Sequence, residues 1–116
     1  MVYAHEIEVQ ERWFRELAKG TKTVEGRKGT PKWRQIPVGD VIKFVSPQQE
    51  TFSCYIAKVN WYPSVEEYLI KEGLVNTLPG VTTFQEGVDI YLKPNGFWDP
   101  DVIHKYGVLA FHVTRQ

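Results

Sequence analysis

Near the N-terminus Ala4, Glu6 and Glu8 alternate with Tyr3, His5, Ile7 and Val9, and this period of two predicts a half-buried strand from Tyr3 to Val9. At Gln10 the period changes. Trp13, Phe14, Leu17 and Ala18 fall on one stripe at helical spacing, so Gln10 to Lys19 is expected to be an amphipathic helix, and Gly20 stands where a left-handed residue ends one. A short strand is expected over Thr23 to Arg27. Lys28 to Gln35 has Gly29 and Pro31 but no periodicity, which predicts a loop, and Pro37-Val38-Gly39-Asp40 suits a type I turn with Pro second and Gly fourth. A strand over Val41 to Val45, a turn around Pro47 and a longer strand from Phe52 to Tyr62 follow. The last has apolar residues on both faces, as a barrel wall or a bulge requires. Ser64-Val65-Glu66-Glu67 reads as a capping box opening a helix that Gly73 closes. Thr83-Phe84-Gln85-Glu86 repeats the device for a helix reaching Leu92 and broken at Pro94. The segment "NGFWDPD" is expected to be a loop, and Tyr106 to Val113 the closing strand. Several strands interspersed with short helices argue for an α+β fold or a small barrel.

Composition narrows the class. A chain of 116 residues is one domain's worth, 1–116, and 42% apolar with 14% aromatic residues is the composition of a globular core. Its 14 Lys plus Arg balance 14 Asp plus Glu, so any case for a nucleic-acid partner must rest on where the charges sit. The lone Cys54 and the absence of an apolar leader or spanning segment lead us to expect an intracellular protein, cytoplasmic or nuclear, with no membrane role. His5, His104 and His112 lack metal-ligand spacing, so no metal and no cofactor are expected, and each His is read as structural.

One order of motifs points to a family. A helix ending in Gly, then "GTKTVEGR" (Gly20 to Arg27), "IPVGDVIKF" (Ile36 to Phe44) and a terminal "YGVLAF" (Tyr106 to Phe111) resembles the ASCH domain, a branch of the PUA-like fold. The most specific part is the G-x-K-x-x-E-x-R segment followed by the P-x-G-D turn. The resemblance implies a small bent β-barrel with flanking short helices and a cleft holding the motif's lysine and glutamate. Members of the family are thought to bind RNA or nucleotides; some sit in transcription coactivators, one branch removes acetyl groups from acetylcytidine, and ribonuclease activity occurs. Fold alone does not choose among these.

The residues themselves supply the candidate chemistry. In a regular strand Thr23, Glu25 and Arg27 share one face, so Lys22 meets Glu25 only if it lies in the turn before the strand. Lys22, Glu25 and Arg27 converging in a cleft could read the donor and acceptor edge of a base, with Glu25 accepting from an amino group and the cations meeting phosphate. The bland alternative is an ion pair that orders the first turn; the resemblance favours the cleft. Beyond it, Arg27, Lys28, Lys32 and Arg34 have no acid among them and flank Trp33, which suits a single strand of nucleic acid stacking on the indole. Equally, Trp33 could fold under the loop as core while its neighbours stay solvated. Trp13, on its helical stripe, is expected to be buried.

The expected partner is therefore RNA, single-stranded nucleic acid, or a nucleotide or nucleoside. Catalysis is the runner-up, with Lys22 and Glu25 as the candidate catalytic residues. As a ribonuclease, Glu25 would be the general base on a 2′-hydroxyl, Lys22 an acid or phosphate clamp, and Arg27 a charge stabiliser. The resemblance to acetylcytidine hydrolases would demand a lysine, a threonine three residues on and a later glutamate. Only Lys22 is kept, since Glu25 takes the threonine's place and 76–82 has no acid, which leaves Thr23 as a displaced hydroxyl. A third class, a protein-interaction module of a transcription complex, would use the aromatic surface around Phe97 and Trp98.

Overall fold

The computed structural model describes residues 4–92 and 96–116. Five strands make one sheet: β1 (Ala4–Glu8), β2 (Val24–Lys28), β3 (Val41–Val45), β4 (Thr51–Tyr62) and β5 (Val108–Arg115), in the spatial order β1-β3-β4-β5-β2. The β1–β3 pair is parallel, with Ile7 beside Phe44, and the other three are antiparallel. Curved into a half-barrel and flanked by short helices, the sheet is the α+β architecture expected from the pattern. The curvature has a local cause in β4, where the register with β5 shifts between Ile56 and Lys58. This bulge is why apolar residues fall on both faces of one long strand.

Helix α1 (Glu11–Lys19) buries Trp13, Phe14 and Leu17, the expected stripe, and ends at Gly20 with φ 83°. The capping box at Ser64 opens α3 (Val65–Glu72), the Ser64 hydroxyl accepting from Glu67 N at 3.1 Å. Thr83 does the same for α5 (Phe84–Leu92), accepting from Glu86 N at 3.2 Å.

Three expectations need correction. Pro31–Arg34 is not loop but a single helical turn, α2, with Pro31 at its first position where a missing N–H costs nothing. "NGFWDPD" is loop only in part. Asp99 caps α6 (Pro100–Tyr106), accepting from Asp101 N at 2.8 Å, so Tyr106 ends a helix and Gly107, φ 75°, turns the chain into β5. The third concerns the turn before β3, which closes from Asp40 N to Pro37 O at 3.3 Å with Gly39 at φ 97°; a positive φ at the third position belongs to type II geometry. Another one-turn helix, α4 (Leu74–Thr77), has no counterpart in the pattern. Tyr3, Pro94 and Asn95, on which parts of the expected strand, helix break and loop rest, lie outside the described residues.

Alternation along β5 creates two cores. Leu109 and Phe111 join Ile7, Phe14, Ile42, Phe44, Phe52 and Ile56 inside the half-barrel. Val108 and Ala110 face the helices, meeting Val65, Tyr68 and Leu69 of α3 and Ile103 of α6. Gly26 of β2 is required by this second core, because a Cβ there would stand 2.7 Å from the fully buried Tyr68 hydroxyl. Among the described residues no helix is long and apolar enough to cross a membrane.

Candidate functional site

The motif residues gather at β2, the last strand in the sheet order. After Gly20, the N–H groups of Thr21 and Lys22 both donate to Glu16 O at 3.1 Å, and this tight turn aims Lys22 inward. Its ammonium, 2% exposed, donates to Val24 O at 2.8 Å and to Thr77 O, and lies 3.4 Å from Glu25 Oε1. Burial pushes the Lys22 pKa down, against the opposing pull of the Glu25 charge. Lys22 therefore does lie in the turn before the strand and meets Glu25 there.

Glu25 and Arg27 share a face of β2, as the period of two demands, and Arg27 Nη2 donates to Glu25 Oε2 at 2.7 Å. The three charges form a chain, Lys22 to Glu25 to Arg27, that runs from the interior to a cavity of about 260 Å³. Glu25, Gly26, Arg27 and Lys28 form one wall of it. Across from them stand Tyr91, Phe97 and Trp98, and α1 with the residues before it adds Gln10 and Trp13. Tyr91 and Trp98 are stacked with centroids 4.5 Å apart, and Phe97 meets Tyr91 edge-on at 5.9 Å. Burial, and then the Glu25 charge, hold the Tyr91 phenol well above its usual range. A cavity bordered by aromatic rings and by a carboxylate and a guanidinium can take a heterocycle and pair with its polar edge.

The remaining expected residues are dispersed. Lys22 is consumed by its three acceptors and is not part of the cavity lining. Trp33 is half-buried, packs edge-on against Phe111 at 6.5 Å and takes Arg27 and Lys32 over its ring at 5.6 and 5.0 Å. With Lys32 it borders a separate open groove that also holds the His5–Asp40 pair, 2.8 Å apart. Arg34 turns to yet another place, donating through Nε to Gly29 O at 2.6 Å and lying 5.6 Å over Trp61. The single turn of α2 causes this dispersal, since consecutive residues on a helix point about 100° apart.

Reading the sequence missed the aromatic wall. Tyr91, Phe97 and Trp98 lie far along the chain from Glu25, and Phe97 and Trp98 had suggested an outer surface; Trp98 is buried and only Phe97 is exposed. Trp13 is buried as expected and still borders the cavity. Among the described residues no group of three or more His, Cys, Asp or Glu side chains could hold a metal.

A half-barrel sheet with its cleft at the β2 end defines a PUA-like class, and comparison with known proteins narrows it. The family model of the ASCH domain matches residues 7–114. The crystal structure of the hypothetical protein PH0355 is similar at 34% identity with a TM-score of 0.85, over 97% of this chain and 99% of that one. Protein PF0455 from Pyrococcus furiosus, a solution NMR structure, is similar at 35% identity with a TM-score of 0.77, over 97% and 96% of the two chains. The ASCH protein from Zymomonas mobilis shares the fold at 15% identity, TM-score 0.65, over 96% of this chain and 66% of that one. No curated protein matches the chain. The chain belongs to the ASCH domain family.

Proposed function

We propose that this ASCH domain binds RNA, or a nucleotide that can be a modified one, by taking a base into the cleft at β2. The observation that carries the reading is the pairing of an aromatic wall with the Glu25–Arg27 edge inside one cavity. Its volume, about 260 Å³, is just below the ~300–1,000 Å³ of ordinary small-molecule sites and so suits a base or nucleoside better than a bulky cofactor. In this arrangement Glu25 accepts from an exocyclic amino group, Tyr91 and Trp98 cover the ring, and Arg27 and Lys28 meet the phosphate. Lys22 contacts no ligand; from the inner side it orients Glu25, 3.4 Å from Oε1. The cations of α2, Lys32 and Arg34, add long-range attraction.

Glu25→Gln tests this, because it keeps size and one acceptor oxygen while removing charge and basicity. Binding of a nucleoside monophosphate and of a short single-stranded RNA should weaken by ~1–3 kcal/mol, with no product from either protein. Undiminished binding by Glu25→Gln would sink the reading. Metal-free turnover of RNA or acetylcytidine by the parent, falling on the order of 100-fold in Glu25→Gln with binding kept, would instead make Glu25 a general base and the domain a hydrolase.

A further inference from the structure

Immediately beyond the cleft the chain builds a second aromatic and basic surface. Trp61, near the end of β4, is 48% exposed, yet its ring is anchored at one edge. The indole Nε1 donates to Tyr106 O at 2.9 Å, and the ring lies so close to Gly107 that a Cβ there would stand 2.5 Å from Nε1. Arg34 is anchored beside it by Gly29 O at 2.6 Å and Tyr106 O at 3.1 Å, with its guanidinium 5.6 Å over the indole. Lys105 extends over the Tyr106 ring at 5.1 Å. Among the described residues no acidic side chain forms an ion pair with Arg34, Lys105 or Lys28.

The surface is continuous with the cleft. Lys28 borders the cavity, the next residue is Gly29, and Gly29 N donates to Gly107 O at 2.9 Å, which brings the end of β2 against the seat of Trp61. We infer that Trp61, Arg34 and Lys105 form a second nucleotide subsite, so that the ligand is a single-stranded oligomer and not a free nucleotide. One base enters the cleft, the backbone passes Lys28, and the adjoining base lies on the Trp61–Arg34 surface. This inference rests on the cleft being the base site. An indole held by its N–H, with a guanidinium 5.6 Å from the ring, suits the flat face of any base, whereas an acidic peptide would need the charges and not the ring.

Fluorescence anisotropy with a labelled mixed-sequence RNA hexamer, and titration calorimetry with nucleoside monophosphates, separate the two sites. Trp61→Ala should weaken hexamer binding about 5- to 150-fold, the range for loss of one stacked base, and leave monophosphate binding within about twofold. Lys105→Glu, an exposed position free of hydrogen-bond duties, guards against misfolding of the first variant. It should weaken the hexamer and lower the salt slope by about 1, again sparing the monophosphate. Hexamer binding unchanged in both variants, or no tighter than monophosphate binding in the parent, overturns the inference. So does a poly-glutamate peptide that binds as tightly as RNA and loses as much in Trp61→Ala. Glu25→Gln distinguishes the two readings: if it spares monophosphate binding while Trp61→Ala still weakens the hexamer, the cleft assignment fails and the subsite stands.

Discussion

Glu25 and Glu72 are both 7% exposed, yet their surroundings give them different uses. Glu72, the last residue of α3, accepts from Asn60 Nδ2 at 2.9 Å and from Tyr62 Oη at 2.6 Å, both on β4, and lies 2.8 Å from His112 Nε2 on β5. It ties a helix to the sheet. Burial alone would raise its pKa, but the donors Asn60, Tyr62 and His112 outweigh burial and hold the carboxyl below the usual range. Burial and the nearby Glu72 push the Tyr62 phenol up to about 12 in return. Glu25, by contrast, is held by two cations, one sealed inside and one on the wall of a cavity. A buried carboxylate is therefore not by itself the mark of a site. Of the two, Glu25 alone lines the cavity bordered by Tyr91, Phe97 and Trp98.

The comparison can be broken most severely at Glu25. Glu25→Ala leaves the Lys22 ammonium buried without its counter-charge and should cost ~3–5 kcal/mol in urea denaturation. The double variant Lys22→Met, Glu25→Leu should recover most of that loss, since apolar groups of similar volume replace a buried pair at little cost, while nucleotide binding stays absent. A double variant as unstable as the single one would show that packing, not the stranded charge, governs the site.

Glu72→Gln comes next, with an expected loss of ~1–3 kcal/mol at pH 7, because the amide keeps one acceptor oxygen but turns an NH2 donor toward the buried donors on the other side. Nucleotide binding should be unchanged. Because the folded pKa of Glu72 lies below its ordinary 4.5, its contribution is complete above that value and is lost as pH falls through the folded pKa. The stability gap between parent and variant should therefore shrink in denaturation curves taken below pH 4.5. A gap that widened on acidification would contradict the assigned role. The smallest effect is expected from His112→Gln. This side chain is half-exposed and supplies one of three donors, so its loss should cost ~1 kcal/mol with no change in nucleotide affinity.

Much of this protein is set by short-range chemistry and is therefore legible in the chain alone. The α1 stripe, the Gly20 stop, both capping boxes and the period of two that puts Glu25 and Arg27 on one face depend on neighbours within a few positions, and each holds in the structure. A local signal also existed for α6, Asp99 before Pro100, though the expected loop absorbed it. The one-turn helices α2 and α4 are too brief for any period to be seen.

What only the tertiary structure decided is which of these local features meet. Lys22 donates to Thr77 O, 55 residues away, and this long-range bond holds the motif's lysine inside, off the cavity lining. Trp33 settles against Phe111 while Trp61 stays exposed with Arg34 over it, a choice between two indoles that no local pattern distinguishes. Tyr91 of α5 and Trp98 before α6 stack on each other and border one cavity with β2 residues that lie far from them in sequence. Hydrophobic burial drives that packing without direction, and only the completed fold says which apolar side chains are covered and which border an opening.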